Sequence, residues 1–169
     1  PLVTHREAPL LRFRASIEER LGLRFDDTKQ RLLEDVLRRR TATRGGGTDA
    51  YLQALETQSD PEEIAALARE LTVPETYFFR NADQLRAFVE LALPEGASVL
   101  CAGCASGEEA YSLAILLAEC VPPRTLKITA LDLNPEVIAK AKRARYSAWA
   151  LRETPPATRE RWFTRVGNE

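Results

Sequence analysis

The residues best placed to do chemistry lie between positions 98 and 132. Gly103, Ala105, Ser106 and Gly107 are small, and Glu108 and Glu109 follow at once. A turn without bulky side chains lets a ligand lie against backbone N–H groups at a helix N-terminus. Two carboxylates in that first turn suit the helix dipole, and they also oppose an anion. The expected ligand is therefore small and positively charged, not a pyrophosphate. The glycines are spaced G-x-x-x-G, not G-x-G-x-x-G, and no G-K-[ST] follows, so two nucleotide-phosphate fingerprints fail. Asp132 ends a second apolar run, roughly twenty or more residues past the turn, where an acid can accept hydrogen bonds from both ribose hydroxyls.

Stepping outward, Val99 to Ala102 reads as a buried strand, and Tyr111, Leu113, Ala114, Ile115, Leu117 and Ala118 recur at helical spacing. Leu126, Ile128, Ala130 and Leu131 form a second strand. Asn134 reads as an N-cap and Pro135 as the first helical residue of a helix over 136–144. This is the opening of a βαβ unit. It brings Gly103, Glu108 and Asp132 to the carboxyl ends of adjacent parallel strands. Taken alone, Asp132 is as readily a turn residue before a helix.

Cys101 and Cys104 form a C-x-x-C pair after the first strand. A redox pair needs an electropositive helix start to hold a thiolate, and Glu108 and Glu109 oppose that. A zinc site lacks ligands, since His5 is the only histidine. The cysteines are read as small core residues.

The N-terminal half predicts a helical bundle. Residues 1–7 are polar and expected to fray. Leu10, Leu11, Phe13, Ile17 and Leu21 mark one helix, stopped at Gly22; Leu32, Leu33, Val36 and Leu37 mark a second, over 28–43. Arg38, Arg39, Arg40 and Arg44 crowd the end of that second helix, either as a solvated, dipole-favoured cap or as a docking face for an acidic partner. A short helix with Tyr51, Leu52 and Leu55 is expected to be capped by Thr48 or Asp49. Asp60-Pro61-Glu62-Glu63 has a cap, a proline at N1 and a glutamate at N3, a strong start for the next helix. Pro74 forces the preceding residues out of helix. Phe78 and Phe79 suit a hinge core, whereas Thr76 and Arg80 are polar groups beside an apolar cluster and need partners. Asp83 to Leu93 reads as a further helix, leading through Pro94-Glu95-Gly96 into the first strand. The expected organisation is α/β: a helical domain over 1–75, a connecting segment and helix over 76–97, and a partial sheet domain over 98–169.

The chain has 169 residues and a formal charge of −1. Near neutrality argues against nucleic-acid binding by bulk charge, and no recognition-helix signature supports a DNA-binding reading of Arg38–Arg40. No apolar run is long enough to span a membrane and none resembles a signal peptide, which predicts a cytoplasmic protein without membrane insertion.

AGCASGEEAYSLA followed by TALDLNPEVIAKAKRARY resembles the chemotaxis receptor methyltransferase (CheR-type) family, and T-x-F-F-R at the end of LTVPETYFFR resembles that family's second hallmark. The likeness covers essentially the whole chain. It implies a Rossmann-like domain for S-adenosylmethionine, with S-adenosylhomocysteine as product, and methyl transfer to a glutamate oxygen of a chemoreceptor. Such a nucleophile needs no strong base, so the task is alignment in a dry site. The resemblance assigns cofactor contacts to Thr76, Arg80, Gly103, Glu108 and Asp132, with Arg80 also positioning the reacting groups. Glu109 and Tyr111 are weaker candidates. Where the family has an asparagine two residues before the threonine, this chain has Pro74. The likeness also implies that the basic helix around Arg38, Arg39 and Arg40 meets the receptor's acidic methylation helices. A methyltransferase sheet has about six or seven strands, and only two are visible here, which predicts a fragment or a shortened domain. An exposed strand edge favours association by dimerisation or swapping. The rival reading is a catalytically incomplete module that only docks a partner.

Overall fold

A computed structural model describes residues 7–91, 96–120 and 126–167. The expectations for residues 1–6 and for the Pro94-Glu95 lead-in lie outside these residues. The chain forms two compact units, divided between Thr72 and Val73.

The first unit is helical: α1 Glu7–Leu21, a 3-10 turn Asp27–Lys29, α2 Gln30–Arg44, α3 Gly47–Thr57 and α4 Pro61–Leu71. Helical spacing puts Phe13 and Ile17 of α1, Leu33 and Val36 of α2, Leu52 of α3 and Leu67 of α4 fully inside one core. Each such side chain contributes about 1.5–3 kcal/mol relative to exposure. Gly22 leaves the helix with φ +68°, and its N–H reaches the Glu18 carbonyl at 2.9 Å. At the start of α4, Asp60 accepts from the N–H groups of Glu62 and Glu63, and Pro61 follows, as read.

One expectation for this unit needs correction. Neither Thr48 nor Asp49 caps α3; the cap is Gly46 in the left-handed region, with no side-chain bond. Glu63, at N3 of α4, lies buried and accepts from Arg40 Nε at 2.9 Å, Arg40 Nη2 at 2.6 Å and the Tyr51 hydroxyl at 2.8 Å. The basic end of α2 is consequently far less free than its composition suggests. Arg40 is bound to Glu63, Arg39 donates twice to Glu70, and Arg44 pairs with Asp60 and Glu63. Arg38 stays exposed and, among the described residues, pairs only with Asp35 one turn back.

The second unit opens with an extended segment, a turn over 78–81 and α5 Ala82–Glu90. Then come β1 Ser98–Ala102, α6 Glu108–Glu119, β2 Lys127–Leu131, α7 Pro135–Arg143 and α8 Pro156–Trp162. The two strands are parallel, in register from Ser98 opposite Lys127 to Ala102 opposite Leu131. Among the described residues the sheet has no further strand. Val99, Cys101, Ile128 and Ala130 share a core with Leu113 and Leu117 of α6 and Val89 of α5. The opposite face is bare: Leu100 is 59% and Leu131 53% exposed. Asn134 caps α7 by accepting from the Glu136 N–H, with Pro135 at N1. Among the described residues no helix is long and apolar enough to cross a membrane.

Candidate functional site

The turn after β1 is clasped by β2: the N–H groups of Gly103 and Cys104 both donate to the Leu131 carbonyl at 2.9 Å. Asp132 then ties the turn to the next helix. Its Oδ2 accepts from the Ala105 N–H and its Oδ1 from the Asn134 N–H, both at 2.8 Å. The local-turn reading of Asp132 is thus realised, yet a carboxylate has about four acceptor sites and two backbone bonds leave the rest open.

Glycine is required at Gly107. It starts α6 at φ +93°, and a Cβ there would sit 2.8 Å from the Ala141 Cβ on α7. Gly103, at φ +74°, would place a Cβ in open space, as a cradle that a ligand approaches should. Gly107→Ala is expected to destabilise the chain by about 2–4 kcal/mol, from backbone strain plus overpacking, and Gly103→Ala by only about 1–2 kcal/mol. Urea unfolding of both variants checks this; equal losses would contradict it.

Glu108 is 4% exposed. Its Oε1 accepts from the Ser106 hydroxyl at 3.0 Å, while its Oε2 is buried with no hydrogen-bond partner in the protein. A buried carboxylate oxygen without a donor is costly. An orphaned anionic acceptor of this kind fits a cationic group, so the residues present are compatible with a positively charged cofactor. Glu109 is exposed instead.

The Thr76–Arg80 segment is joined to this turn by bonds no local pattern could reveal. The Ser112 hydroxyl, fully buried, donates to the Glu108 carbonyl at 2.6 Å and accepts from the Phe79 N–H at 2.9 Å. The Phe78 N–H reaches the Ala150 carbonyl at 2.9 Å, and the Tyr146 hydroxyl donates to the Ser106 carbonyl at 2.8 Å. Phe78 packs edge-on against Tyr146 and Phe163, with centroids 4.7 and 4.8 Å apart. Phe78 and Phe79 are therefore core. Phe79 holds φ +60°, and Ala105 in the turn holds φ +47°. Non-glycine residues in this region store about 1–3 kcal/mol of strain each and persist where surroundings over-determine them.

Around this frame, Thr76 is half-buried. Arg80 is exposed and donates to the Glu75 carbonyl at 2.6 Å. All five expected contact residues belong to the second unit, with Thr76 and Arg80 on the segment that Ser112 ties to Glu108. Sequence reading missed Ser112 and Tyr146; for Ser112 the available signal was a hydroxyl one turn after Glu108 on the apolar face of a helix. Tyr111 donates to the Ala141 carbonyl at 3.0 Å, a link between α6 and α7. A cleft of about 310 Å³ between α6, β2 and α7 is lined by Gly107, Ala114, Ile128, Ala130 and Ile138 among others, and by none of the five. It is the uncovered flank of β2, not the cradle.

Cys101 and Cys104 are free and buried. Burial, with Glu109 close by, pushes the Cys101 thiol up to about 11, and burial with Asp132 raises Cys104 as well. Both stay neutral thiols, in keeping with a core role. Among the described residues no cluster of His, Cys, Asp and Glu could hold a metal.

Residues 74–169 match the family model described as CheR methyltransferase, SAM binding domain. The chain is 30% identical over 165 residues to chemotaxis protein methyltransferase 2 of Vibrio cholerae, covering 90% of this chain and 57% of that protein. It is 32% identical over 154 residues to the chemotaxis protein methyltransferase of Salmonella typhimurium, covering 88% of this chain and 54% of that protein. It is also 32% identical over 162 residues to the probable biofilm formation methyltransferase WspC of Pseudomonas putida, covering 90% of this chain and 38% of that protein. The chain thus spans between about a third and three-fifths of the length of these relatives.

Proposed function

Since the chain belongs to the CheR methyltransferase family, we propose that it is the cofactor-binding part of an S-adenosylmethionine-dependent protein-glutamate O-methyltransferase acting on a chemoreceptor or related signalling protein. The observation that carries this reading is the buried, partnerless Oε2 of Glu108, set beside a turn open to a ligand. When bound, the cofactor would supply a methyl group on a sulfonium. The chain's own residues bind and orient it. Glu108 takes its positive charge, the open acceptor sites of Asp132 take the ribose, and Gly103 leaves space for its approach. Thr76 offers a half-buried hydroxyl, and Arg80 positions the reacting groups.

In this reading residues 1–75 face the partner, 76–97 connect, and 98–169 begin the cofactor domain, in a cytoplasmic protein. The partner-facing contribution of the basic helix falls to Arg38, because Arg39 and Arg40 are bound to Glu70 and Glu63.

Calorimetric titration with S-adenosylhomocysteine tests the proposal. The expected result is saturable heat with the wild-type chain and its loss in Asp132→Ala, with circular dichroism reporting an intact fold. A folded wild-type chain that gives no heat overturns it, and leaves the docking-module reading in its place.

A further inference from the structure

The turn after α7 carries a second feature. The Arg152 guanidinium lies 3.8 Å from the centroid of the Tyr77 ring and 4.3 Å from that of Trp149. Its Nη1 donates to the Trp149 carbonyl at 2.9 Å. Arg80 approaches the same Tyr77 ring at 5.8 Å. Two guanidiniums therefore share one aromatic ring, and among the described residues neither has a carboxylate at ion-pair distance. By contrast, Arg12, Arg39, Arg40, Arg44 and Arg86 are each paired with an acid of this chain.

Stacking on two rings fixes the plane of a side chain that is otherwise costly to order. A fixed, planar, unpaired guanidinium is suited to take a carboxylate through paired hydrogen bonds. Trp149, 73% exposed, adds an apolar surface beside it, matching the methylenes of a glutamate. The cluster also sits on the frame of the cradle. Residues 147–152 are held by the Tyr146 bond to Ser106 on one side and by the Phe78 bond to Ala150 on the other.

We propose that Arg152, clamped between Tyr77 and Trp149 and backed by Arg80, is a specificity-determining seat for a carboxylate of an acidic polypeptide substrate. This rests on the methyltransferase reading and adds the residues that choose its substrate. The occupant is a peptide, not a nucleic acid, because a planar guanidinium beside the apolar face of Trp149 matches one carboxylate on its methylenes, while the chain, at a formal charge of −1, carries no positive excess for a phosphate backbone.

The test uses the whole chain and two labelled alanine-rich peptides, one bearing paired glutamates and the other glutamines in their place. Fluorescence anisotropy should show tighter binding of the glutamate peptide. Arg152→Ala should weaken it by about tenfold, as loss of a charge-assisted hydrogen bond of roughly 1.5 kcal/mol requires. Trp149→Ala, at a mostly exposed position, should weaken it in the same direction, and Arg152→Lys should not restore it. Affinity for S-adenosylhomocysteine should stay unchanged in all three. Equal binding of the two peptides, wild-type affinity in Arg152→Ala, or tighter binding of a single-stranded oligonucleotide overturns the proposal. So does a parallel loss of S-adenosylhomocysteine affinity, which would put Arg152 on the cofactor. A chain that binds the glutamate peptide through Arg152 but never binds S-adenosylhomocysteine supports the seat and overturns the methyltransferase reading.

Discussion

Glu108→Gln is expected to weaken S-adenosylhomocysteine binding by about a hundredfold while raising the unfolding free energy of the free chain by about 1 kcal/mol. The opposite signs follow from one atom. Oε2 is buried and receives no hydrogen bond from the protein, so the free chain carries a desolvation cost that an amide reduces. A ligand ammonium placed there offsets that cost, and an amide cannot match the attraction. Glutamine keeps the size of the side chain and an oxygen that can still accept from Ser106, so packing is spared. Calorimetry and thermal unfolding on the same preparation read both effects. Equal losses of affinity for S-adenosylmethionine and S-adenosylhomocysteine would place the carboxylate on the amino group they share. A variant with unchanged affinity and unchanged stability would mean that Glu108 serves only the helix dipole.

What could be read beforehand was chemistry that acts within a few residues. Asp60 and Asn134 cap their helices because a short acceptor side chain meets N–H groups two and three positions on, and each is followed by a proline whose φ already suits a helix. The strand, turn, helix and second strand were visible because apolar period and small residues mark them directly. Apart from the cap of α3, which falls to Gly46 and not to Thr48 or Asp49, what stayed hidden involves partners far along the chain. Glu63 was read only as the glutamate at N3 of its helix; that Tyr51, 12 residues away, and Arg40, 23 residues away, draw it inward was not visible. Ser112 was unremarkable on its helix until Phe79, 33 residues earlier, bonded to it. Tyr146 reaches Ser106 across 40 residues. The basic look of α2 misled for a related reason: composition counts charges but not their partners, and α4 supplies acids to three of the four arginines. Thus the position of the turn was legible, while the bonds that bring Thr76 and Arg80 to it were not.

Glu63→Ala is expected to destabilise the first unit by about 3–5 kcal/mol, because removing one partner of a buried ion pair strands the other. Glu63 is 4% exposed, and the side chain of Arg40 is 15% exposed. With Glu63 gone, the Arg40 guanidinium keeps only Glu70 at 3.7 Å, and the buried Tyr51 hydroxyl loses its acceptor. The largest influence on the Glu63 carboxyl is burial, which would raise its pKa, but hydrogen bonds from Arg40 and Tyr51 and the charge of Arg44 outweigh it and hold the group below its ordinary value. A group depressed on folding adds stability above the unfolded pKa, near 4.3 for a glutamate. That stability falls away as the pH drops through the lower folded value. Wild-type chain should therefore lose stability steeply below about pH 4, and Glu63→Gln, which cannot titrate, should show a shallower acid limb. Urea unfolding followed by circular dichroism across a pH series reads both. Glu70→Ala is the control, since its contacts with Arg39 are largely exposed and worth about 1 kcal/mol or less. Replacing both partners, as in Arg40→Met with Glu63→Leu, should recover most of the loss, because an apolar pair carries no stranded charge. Should Glu63→Ala cost no more than Glu70→Ala, with the acid limb unaltered in Glu63→Gln, the network would be a solvated surface contact and the helical unit would owe its stability to its apolar core alone.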